Sequence, residues 1–241
     1  MTALLAFEAV RKQHWRGRRA VTILDRGELT LAPGELGAIW GGRGAGKTTL
    51  VELAAGLQAP DEGRVLFDGR DVARLSRREA SALLHADIGI ATSLGPASPG
   101  LTARDWVGMA VMDRLSSREA ARRAHLALER VGADDVAAEP WRTLSDGERT
   151  LVAIARAMVR APRLLLVDDP SSGLGLLERR AIIELLRSIA QQPGVAVLMT
   201  VGDLADAQGV DVTWSLAGGR LTGRRAGGAT VVPFPSAAAD G

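Results

Sequence analysis

The segment that decides the fold is Gly41-Gly42-Arg43-Gly44-Ala45-Gly46-Lys47-Thr48-Thr49. It follows a short apolar run that ends at Trp40, and it opens a helix-like stretch that continues to Leu57. This order of strand, glycine-rich turn and helix fits the P-loop pattern, in which glycines let backbone N–H groups converge on phosphate oxygens. We therefore predict that residues 41–49 bind a nucleotide. Lys47 reaches its β and γ phosphates, and the Thr48 hydroxyl binds Mg2+ at the helix N-terminus.

A second strand-like run supplies the acidic group that such a phosphate site needs. The apolar stretch 164–167 ends in Asp168-Asp169-Pro170. We predict that Asp168 is the second Mg2+ ligand, because ligands bind where the carboxyl ends of parallel strands meet. Asp169 then points toward the γ phosphate and positions water, which makes Asp169 and Lys47 the predicted catalytic residues. Pro170 ends the strand, since it has no backbone N–H to donate.

The order of apolar patterns along the chain predicts an α/β fold. Short β-rich runs precede polar turns at 36–40, 164–167 and 195–201. They alternate with helix-like stretches, which is typical of a parallel sheet covered on both faces. Between residues 99 and 131 the pattern is helical, and Ser116 and Glu119 have the spacing of a capping box. We predict that a helical insertion interrupts the sheet there.

Composition excludes several classes of function. The 241 residues contain no cysteine and three histidines, which excludes a disulfide scaffold and a thiolate zinc site. The 30 basic residues nearly balance 28 acidic ones, so the net charge is +2 and we expect no nucleic-acid partner. No apolar stretch reaches the roughly 18 residues of a membrane helix, and the N-terminus lacks the order of a signal peptide. We expect a soluble, cytoplasmic chain.

One further motif indicates the family. Leu144-Ser145-Asp146-Gly147-Glu148 precedes an amphipathic helix and lies about twenty residues before the Asp168 strand. Locally it has the spacing of a capping box, from Ser145 to Glu148. In this position, after a P-loop and a helical insertion, it resembles the LSGGQ signature of the ATP-binding cassette (ABC) ATPases. The resemblance covers the chain from about residue 4 to residue 222.

The resemblance implies a P-loop NTPase with a parallel-sheet core, an antiparallel β subdomain and the helical insertion of ABC proteins. It implies one ABC ATPase domain over residues 1–225, with the helical subdomain at about 94–150, and we expect residues 226–241 to be a disordered tail. ATP and Mg2+ are the implied cofactors. Because cassettes of this family dimerise head to tail, Ser145 and Gly147 are expected to bind the ATP of a second cassette. A transmembrane permease would hold the chain at the cytoplasmic face of the cell membrane.

Several departures from the family's pattern fall at positions that serve hydrolysis. Asp169 replaces a glutamate, which withdraws the carboxylate by about 1 Å, and misplacement of that size can cost about a hundredfold in rate. Gly202 replaces a histidine that contacts the γ phosphate. Ser93 replaces a glutamine at the metal site, where we still count it as a candidate metal ligand. Asp146 replaces a signature glycine and places a negative charge near the triphosphate. We expect intact ATP binding and attenuated hydrolysis.

The adenine-stacking position also departs from the family's pattern. The family usually has a tyrosine there, and this chain contains none. His14 and Trp15 are the nearest candidates. We predict that Trp15 stacks on the base; the alternative is that its ring is simply exposed at the surface.

The leading hypothesis is the ATP-binding subunit of an ABC transporter. ATP would close a dimer with an identical or a different cassette, and the closure would move a transmembrane partner; the segment 93–101 is similar to exporter-type cassettes. The alternative is an ATP-dependent switch or scaffold with little or no hydrolysis, whose active site resides in a partner cassette. A soluble ABC protein of DNA repair or translation is disfavoured, because the sequence shows no coiled-coil arms and no second cassette. The signature motif disfavours a small-molecule kinase.

Overall fold

The strands of the described residues form two β-sheets. The computed structural model describes residues 3–226, and every structural statement below refers to that part of the chain. The first sheet is four-stranded and antiparallel and contains, in spatial order, β2 (Arg19–Leu31), β1 (Leu5–Arg16), β4 (Glu62–Phe67) and β5 (Arg70–Asp71). The second is six-stranded and contains, in spatial order, β10 (Arg220–Arg225), β9 (Val212–Ala217), β3 (Leu36–Trp40), β8 (Ala196–Val201), β7 (Leu164–Val167) and β6 (Ile88–Ala91).

The α-helices of the described part connect the strands, and two of the caps that begin them were predicted. The helices are α1 (Lys47–Ala54), α2 (Arg77–Ala86), α3 (Ala103–Gly108), α4 (Ser117–Val131), α5 (Asp146–Met158) and α6 (Leu176–Ala190). Ser145 forms a complete capping box with Glu148. Ser116 forms half of one: its hydroxyl accepts from the Glu119 amide at 3.4 Å, but the Glu119 carboxylate accepts from Arg122 at 2.8 Å instead of from the cap. The prediction of a full box at Ser116 is therefore wrong, because an ion pair one turn further along competes for the carboxylate.

The parallel part of the six-stranded sheet positions the P-loop. β3 pairs in parallel with β8 and β9, and β7 pairs in parallel with β6 and β8. β7 and β8 are buried at every position, as expected for strands covered on both faces. The P-loop follows β3, Asp168 follows β7 and Gly202 follows β8, so these segments meet at one edge of the sheet. This confirms the predicted α/β fold with a parallel core.

The antiparallel sheet covers the helix that follows the P-loop. Leu5, Phe7 and Val10 of β1 share one hydrophobic core with Leu50 and Leu53 of α1. All five side chains are fully buried. At roughly 1.5 to 3 kcal/mol for each large apolar side chain, this burial fixes α1 against the sheet. The predicted antiparallel β subdomain is confirmed, and it holds the first turn of α1 in place.

The helical insertion is built from α3, α4 and the start of α5. Ala120, Ala124 and Leu128 of α4 are buried on one face, as their helical spacing predicts. Their core also includes Val107 of α3 and Val152 of α5. Alanine at two of the three α4 positions lets the helices approach closely. The insertion therefore packs onto the same helix that carries the signature segment at its N-terminus.

The limits of the domain stay predictions. The predicted helical subdomain, about 94–150, ends within α5, which continues to Met158. The predicted disordered tail, 226–241, lies outside the described residues except for Ala226, whose amide donates to the Asp211 carbonyl at 2.8 Å. Between residues 3 and 226, no helix combines the length and the apolar character that crossing a bilayer requires.

A substitution at Gly89 tests how closely β6 packs against α5. A Cβ atom at Gly89 would lie 2.4 Å from the Ala157 carbonyl oxygen. We predict that Gly89→Ala lowers the free energy of unfolding by about 1 to 3 kcal/mol, because backbone must shift to admit the methyl group. Urea denaturation of the isolated chain measures this.

Gly202→Ala is the matched control for that substitution. A Cβ atom there would meet nothing within 4 Å, so the change should stay within about 0.5 kcal/mol. Equal stability of the two variants would contradict the close packing of β6 on α5.

Candidate nucleotide-binding site

A cleft of about 1070 Å³ opens at the carboxyl edge of the parallel sheet. The P-loop, the ends of β6, β7 and β8, and the start of α5 form its walls. The lining residues are His14, Ile23, residues 43–49, residues 91–93, Asp146, Arg149, Thr150, Ala153, Ile154, residues 167–170, Ser172, Gly173 and Gly202. The structure thus brings the P-loop together with the aspartate pair and with Gly202, which lie more than 100 residues further along the sequence.

The P-loop has a backbone that requires glycine. Gly44 and Gly46 have φ angles of 77° and 104°, in the region that side chains disfavour. Gly46 immediately precedes α1, and a Cβ atom there would meet the Ile23 side chain at 2.4 Å. The first-turn amides of α1 can therefore face the cleft only with glycine at this position. Ile23 also lines the cleft, which the sequence does not predict, because nothing in β2 marks one apolar residue as adjacent to the P-loop.

The Lys47 ammonium crosses the loop that carries it. It donates to the Gly41 carbonyl at 2.6 Å and to the Gly42 carbonyl at 3.3 Å. Gly41 and Gly42 lie outside the lining residues, whereas the other predicted P-loop residues all line the cleft. The first two glycines therefore hold the lysine, and the following residues face the space where phosphates would lie.

Thr48 and Asp168 meet directly, as their predicted role at one metal ion requires. The Thr48 hydroxyl donates to Asp168 Oδ2 at 2.7 Å, and the Thr200 hydroxyl donates to Asp168 Oδ1 at 2.7 Å. A hydroxyl beside a carboxylate is the kind of oxygen donor set that Mg2+ prefers, with phosphate and water oxygens completing its shell. The residues present therefore fit Mg2+. The sequence does not predict a role for Thr200, because this residue lies within an apolar strand.

Asp169 has an unusual environment for an aspartate. Its φ angle is 52°, in the left-handed region, and its amide donates to Thr200 Oγ1 at 2.9 Å. Burial raises the pKa of the Asp169 carboxyl above its ordinary value, the positive charge of Lys47 opposes this rise, and the negative charge of Asp168 adds to it. The predicted catalytic carboxyl thus faces the cleft from partly desolvated surroundings.

Near Asp169 lies a further carboxylate, that of Asp206, which is buried. Asp206 is 6% exposed, accepts from the Ser171 hydroxyl at 2.6 Å and faces the Arg179 guanidinium at 3.7 Å. Its negative charge is a further cause, after burial and Asp168, of the raised pKa of Asp169. The sequence does not predict this group, because an aspartate in a polar turn carries no signal that it is buried.

Ser93 and Gly202, the two other positions of the predicted hydrolytic site, border the cleft. Ser93 is exposed beyond the end of β6. Its role as a metal ligand stays a prediction. Gly202 faces open space, because a Cβ atom there would meet no other atom within 4 Å. The site therefore has room for a longer side chain at position 202.

The signature segment begins α5 at the far side of the same cleft. The Ser145 amide donates to the Glu148 carboxylate at 2.7 Å, and the Ser145 hydroxyl accepts from the Glu148 amide at 3.3 Å. Asp146 forms an ion pair with Arg149 at 3.3 Å, and both line the cleft. Ser145 and Gly147 lie outside the lining residues. Their predicted role toward the nucleotide of a second cassette stays a prediction.

The two candidates for the adenine side differ in position. His14 lines the cleft, with its Nε2 3.3 Å from the Gln58 Oε1. Trp15 is 70% exposed and lies outside the lining residues. The structure therefore brings His14 to the cleft more directly than Trp15. The prediction that Trp15 stacks on the base remains to be tested.

This combination of parts defines the class of protein. A P-loop after one parallel strand, an aspartate pair after another and a capped signature helix after a helical insertion together form the nucleotide-binding cassette of an ABC-type ATPase. The family model for ABC transporters matches residues 24–172. The chain belongs to the ABC transporter family and is an ATP-binding subunit. The cassettes of this family hydrolyse ATP.

Relatives and solved structures extend the likeness over nearly the whole chain. The lipoprotein-releasing system ATP-binding protein LolD of Pseudomonas syringae pv. tomato is 34% identical over 220 residues, covering 91% of this chain and 97% of that protein. The protein of the same name from Shewanella denitrificans is 33% identical, with 84% and 87% covered. The dimeric, post-hydrolysis structure of the ATP-binding cassette MJ0796 bound to ADP and Pi has a TM-score of 0.83 at 25% identity, with 92% of this chain and 98% of that chain covered. The structure of cbiO1 from Clostridium perfringens, part of the ABC transporter complex cbiONQ, has a TM-score of 0.78 at 26% identity, with 91% and 86% covered. These findings confirm the predicted family and fold class.

The raised pKa of Asp169 makes a prediction about stability. Asp169→Asn should raise the Tm of the nucleotide-free chain at pH 7 by about 2 °C, because the amide has no charge to desolvate. In the wild type the folded state holds the Asp169 proton more tightly than the unfolded state does. The wild type therefore loses stability relative to the variant as the pH rises from 3.8, the ordinary pKa, through the raised pKa of the folded state. Below pH 3.8 the difference in Tm between wild type and variant should vanish.

Thermal unfolding between pH 3 and pH 8 measures that difference. Asp203→Asn is the control for exchanging a carboxylate for an amide, because Asp203 is exposed in the turn after Gly202 and lies outside the lining of the cleft. If Asp169→Asn is instead less stable than the wild type at pH 7, the attraction of Lys47 outweighs burial.

Proposed function

We propose that ATP joins this ABC transporter ATP-binding subunit to a second cassette, and that the chain hydrolyses ATP slowly at its own site. The observation that carries the proposal is the 2.7 Å hydrogen bond between Thr48 and Asp168, which brings the P-loop helix and the end of β7 into one oxygen-rich site. The intact P-loop supports binding. The three substituted positions, Asp169, Gly202 and Ser93, support slow hydrolysis.

ATP binding rests on the backbone of the P-loop and on one lysine. The amides at the N-terminus of α1 lie at the positive end of the helix dipole, which favours phosphate oxygens. Lys47 would exchange the carbonyls of Gly41 and Gly42 for charged phosphate oxygens, which make stronger hydrogen bonds. Thr48 and Asp168 would hold Mg2+, which supplies positive charge that offsets the charge on the transferred phosphoryl group.

Asp169 is the side chain to which we assign the orientation of an attacking water. It lines the cleft beside the predicted magnesium ligands, and the positive charge of Lys47 favours its ionised form against the effect of burial. Aspartate is one methylene shorter than glutamate, which shifts the carboxylate by about 1 Å, a distance that can change a rate by about a hundredfold. Gly202 adds no contact to the γ phosphate. Water is therefore held less well, and turnover is slow.

The second cassette is proposed to bind at the signature segment. The N-terminus of α5, with Ser145 and Gly147, offers amides and a positive dipole end to the phosphates of a second ATP. Asp146 opposes this: like charges about 6 Å apart repel by roughly 0.7 to 3 kcal/mol, according to the local dielectric. Its ion pair with Arg149 at 3.3 Å reduces that repulsion. A solved structure of MJ0796, a bacterial ABC transporter cassette of similar fold, is dimeric, which supports this arrangement.

The transmembrane partner is proposed to dock beside the helical insertion, along the segment 93–101. Leu94 in this segment is 78% exposed. The exporter type of this permease is proposed on the likeness of the segment 93–101 to exporter-type cassettes alone. Two relatives carry the name of a lipoprotein-releasing system, which supports a transmembrane partner without fixing its type. Such a complex would place the chain at the cytoplasmic face of the cell membrane.

The second candidate function is a switch or scaffold that closes on ATP and releases little phosphate. The open space at Gly202 and the short Asp169 side chain favour it. It differs from the first proposal in one measurable property, since it forms an ATP-dependent complex without hydrolysis at this site.

We predict that Asp169→Asn lowers ATP turnover of the complex purified through a tag on this chain by about tenfold or more. The variant keeps the size of the side chain and removes its charge. Phosphate release at saturating ATP measures the rate, and binding of a fluorescent ATP analogue is the control for an intact P-loop. An unchanged rate with ATP still bound would assign hydrolysis to a partner cassette and favour the switch.

Restoring the two missing groups should have the opposite effect. We predict that the double variant Asp169→Glu, Gly202→His raises turnover of the same complex by about tenfold or more, because it returns the carboxylate reach and a side chain beside the γ phosphate. Gly202→Ala combined with Asp169→Glu is the matched control for the histidine. A double variant no faster than the wild type would show that other positions limit hydrolysis.

A further inference from the structure

Thr200 is a buried hydroxyl in an otherwise apolar strand. The residue is 0% exposed, and its neighbours Met199 and Val201 in β8 are also fully buried. Valine has nearly the same shape and would fill this space without a polar atom. Since a buried hydroxyl is costly unless it is hydrogen-bonded, its partners account for its place in the core. Both partners lie in the candidate site.

The single hydroxyl of Thr200 joins the two consecutive aspartates. Its Oγ1 donates to Asp168 Oδ1 at 2.7 Å and accepts from the Asp169 amide at 2.9 Å. A hydroxyl has one proton to donate and two lone pairs, so both bonds form together. Because Asp168 Oδ2 accepts from Thr48 at 2.7 Å, both oxygens of this carboxylate are oriented by hydroxyl groups.

The bond to the Asp169 amide acts on a strained residue. Asp169 has a φ angle of 52°, a conformation that persists in a non-glycine residue only where surrounding contacts fix it. Its carbonyl accepts from the Ser172 amide at 3.2 Å, and the preceding amide, of Asp168, donates to the Ala91 carbonyl at 2.9 Å. Thr200 is the partner of the Asp169 amide itself, and it therefore helps to set the direction in which this carboxylate leaves the backbone.

We propose that Thr200 is a positioning residue of the ATP site. Through one hydroxyl it orients the Asp168 carboxylate for Mg2+ and holds the turn that directs Asp169 into the cleft. The first part rests on the proposed function, because it requires Asp168 to bind Mg2+. The hold on Asp169 does not, since it is a property of the nucleotide-free chain.

Three variants separate the hydroxyl from the packing. Thr200→Val removes the hydroxyl and keeps the shape, and Thr200→Ser keeps the hydroxyl. Thr213→Val makes the same change in β9 of the same sheet, at a position outside the lining of the cleft. Thermal unfolding of each variant shows that it is folded before the site is measured.

The first measurement is hydrogen exchange of the Asp169 amide by NMR in the nucleotide-free chain. Thr200→Val should exchange this amide about tenfold faster than the wild type, because its acceptor is gone. Thr200→Ser and Thr213→Val should stay close to the wild type. Unchanged exchange in Thr200→Val, or equally fast exchange in Thr200→Ser, would overturn the hold on Asp169.

The second measurement is the affinity for ATP with and without Mg2+. Thr200→Val should reduce the gain in affinity that Mg2+ gives by about tenfold, while affinity without Mg2+ changes by less than about twofold. Thr200→Ser should restore the gain. If Thr213→Val causes the same loss, loosening of the sheet explains it and the positioning role is wrong.

The two measurements distinguish this inference from the proposed function. If Mg2+ does not raise the affinity of the wild-type chain for ATP, the assignment of Asp168 as a magnesium ligand is wrong, and so is the part of the inference that depends on it. The exchange rate of the Asp169 amide still decides whether Thr200 holds the turn.

Discussion

Two adjacent carboxylates at the end of a buried strand impose the constraint on which the site depends. β7 is buried at every position, and the chain leaves it through Asp168 and Asp169. Negative charge at such a place is costly unless hydrogen bonds and opposite charge offset it. Thr48 and Thr200 supply hydroxyl donors to the first carboxylate, and Lys47 supplies positive charge near the second. Residues of the P-loop therefore stabilise the two aspartates by a hydrogen bond and by positive charge, in addition to their predicted role in binding phosphate.

The strand order explains how these groups come together. β8 lies between β3, which leads into the P-loop, and β7, which leads into the aspartates. Thr200 pairs with Ile39 of β3 in the ladder and reaches Asp168 and Asp169 with its hydroxyl. β8 thus connects the strand that leads into the P-loop with the two aspartates that follow β7. A change in β8 would act on both halves without touching a nucleotide.

Local patterns predicted the parts of the fold that local forces determine. Glycine spacing predicted the P-loop, apolar runs before polar turns predicted the parallel strands, and the spacing from Ser145 to Glu148 predicted the capping box. The parts that were missed depend on contacts between distant segments. Thr200 and Asp206 are polar residues whose burial depends on how β8 and the following turn pack. The Glu119 carboxylate accepts from Arg122 instead of from the N-cap amide of its helix. No pattern within a few residues of them carries that information.

The proposed separation between a P-loop that still binds ATP and a site that hydrolyses it slowly has a physical basis. Phosphate binding uses backbone amides at a helix N-terminus and a turn that glycine permits, so any sequence that keeps this fold keeps the amides. Positioning a water molecule uses the ends of side chains, where one methylene at position 169 or the whole side chain at position 202 is lost without a change in the fold. The 4 Å of open space around a Cβ at Gly202 shows that no packing contact opposes such a loss. In a cassette that acts with a second one, hydrolysis can weaken at one site while ATP-driven closure persists.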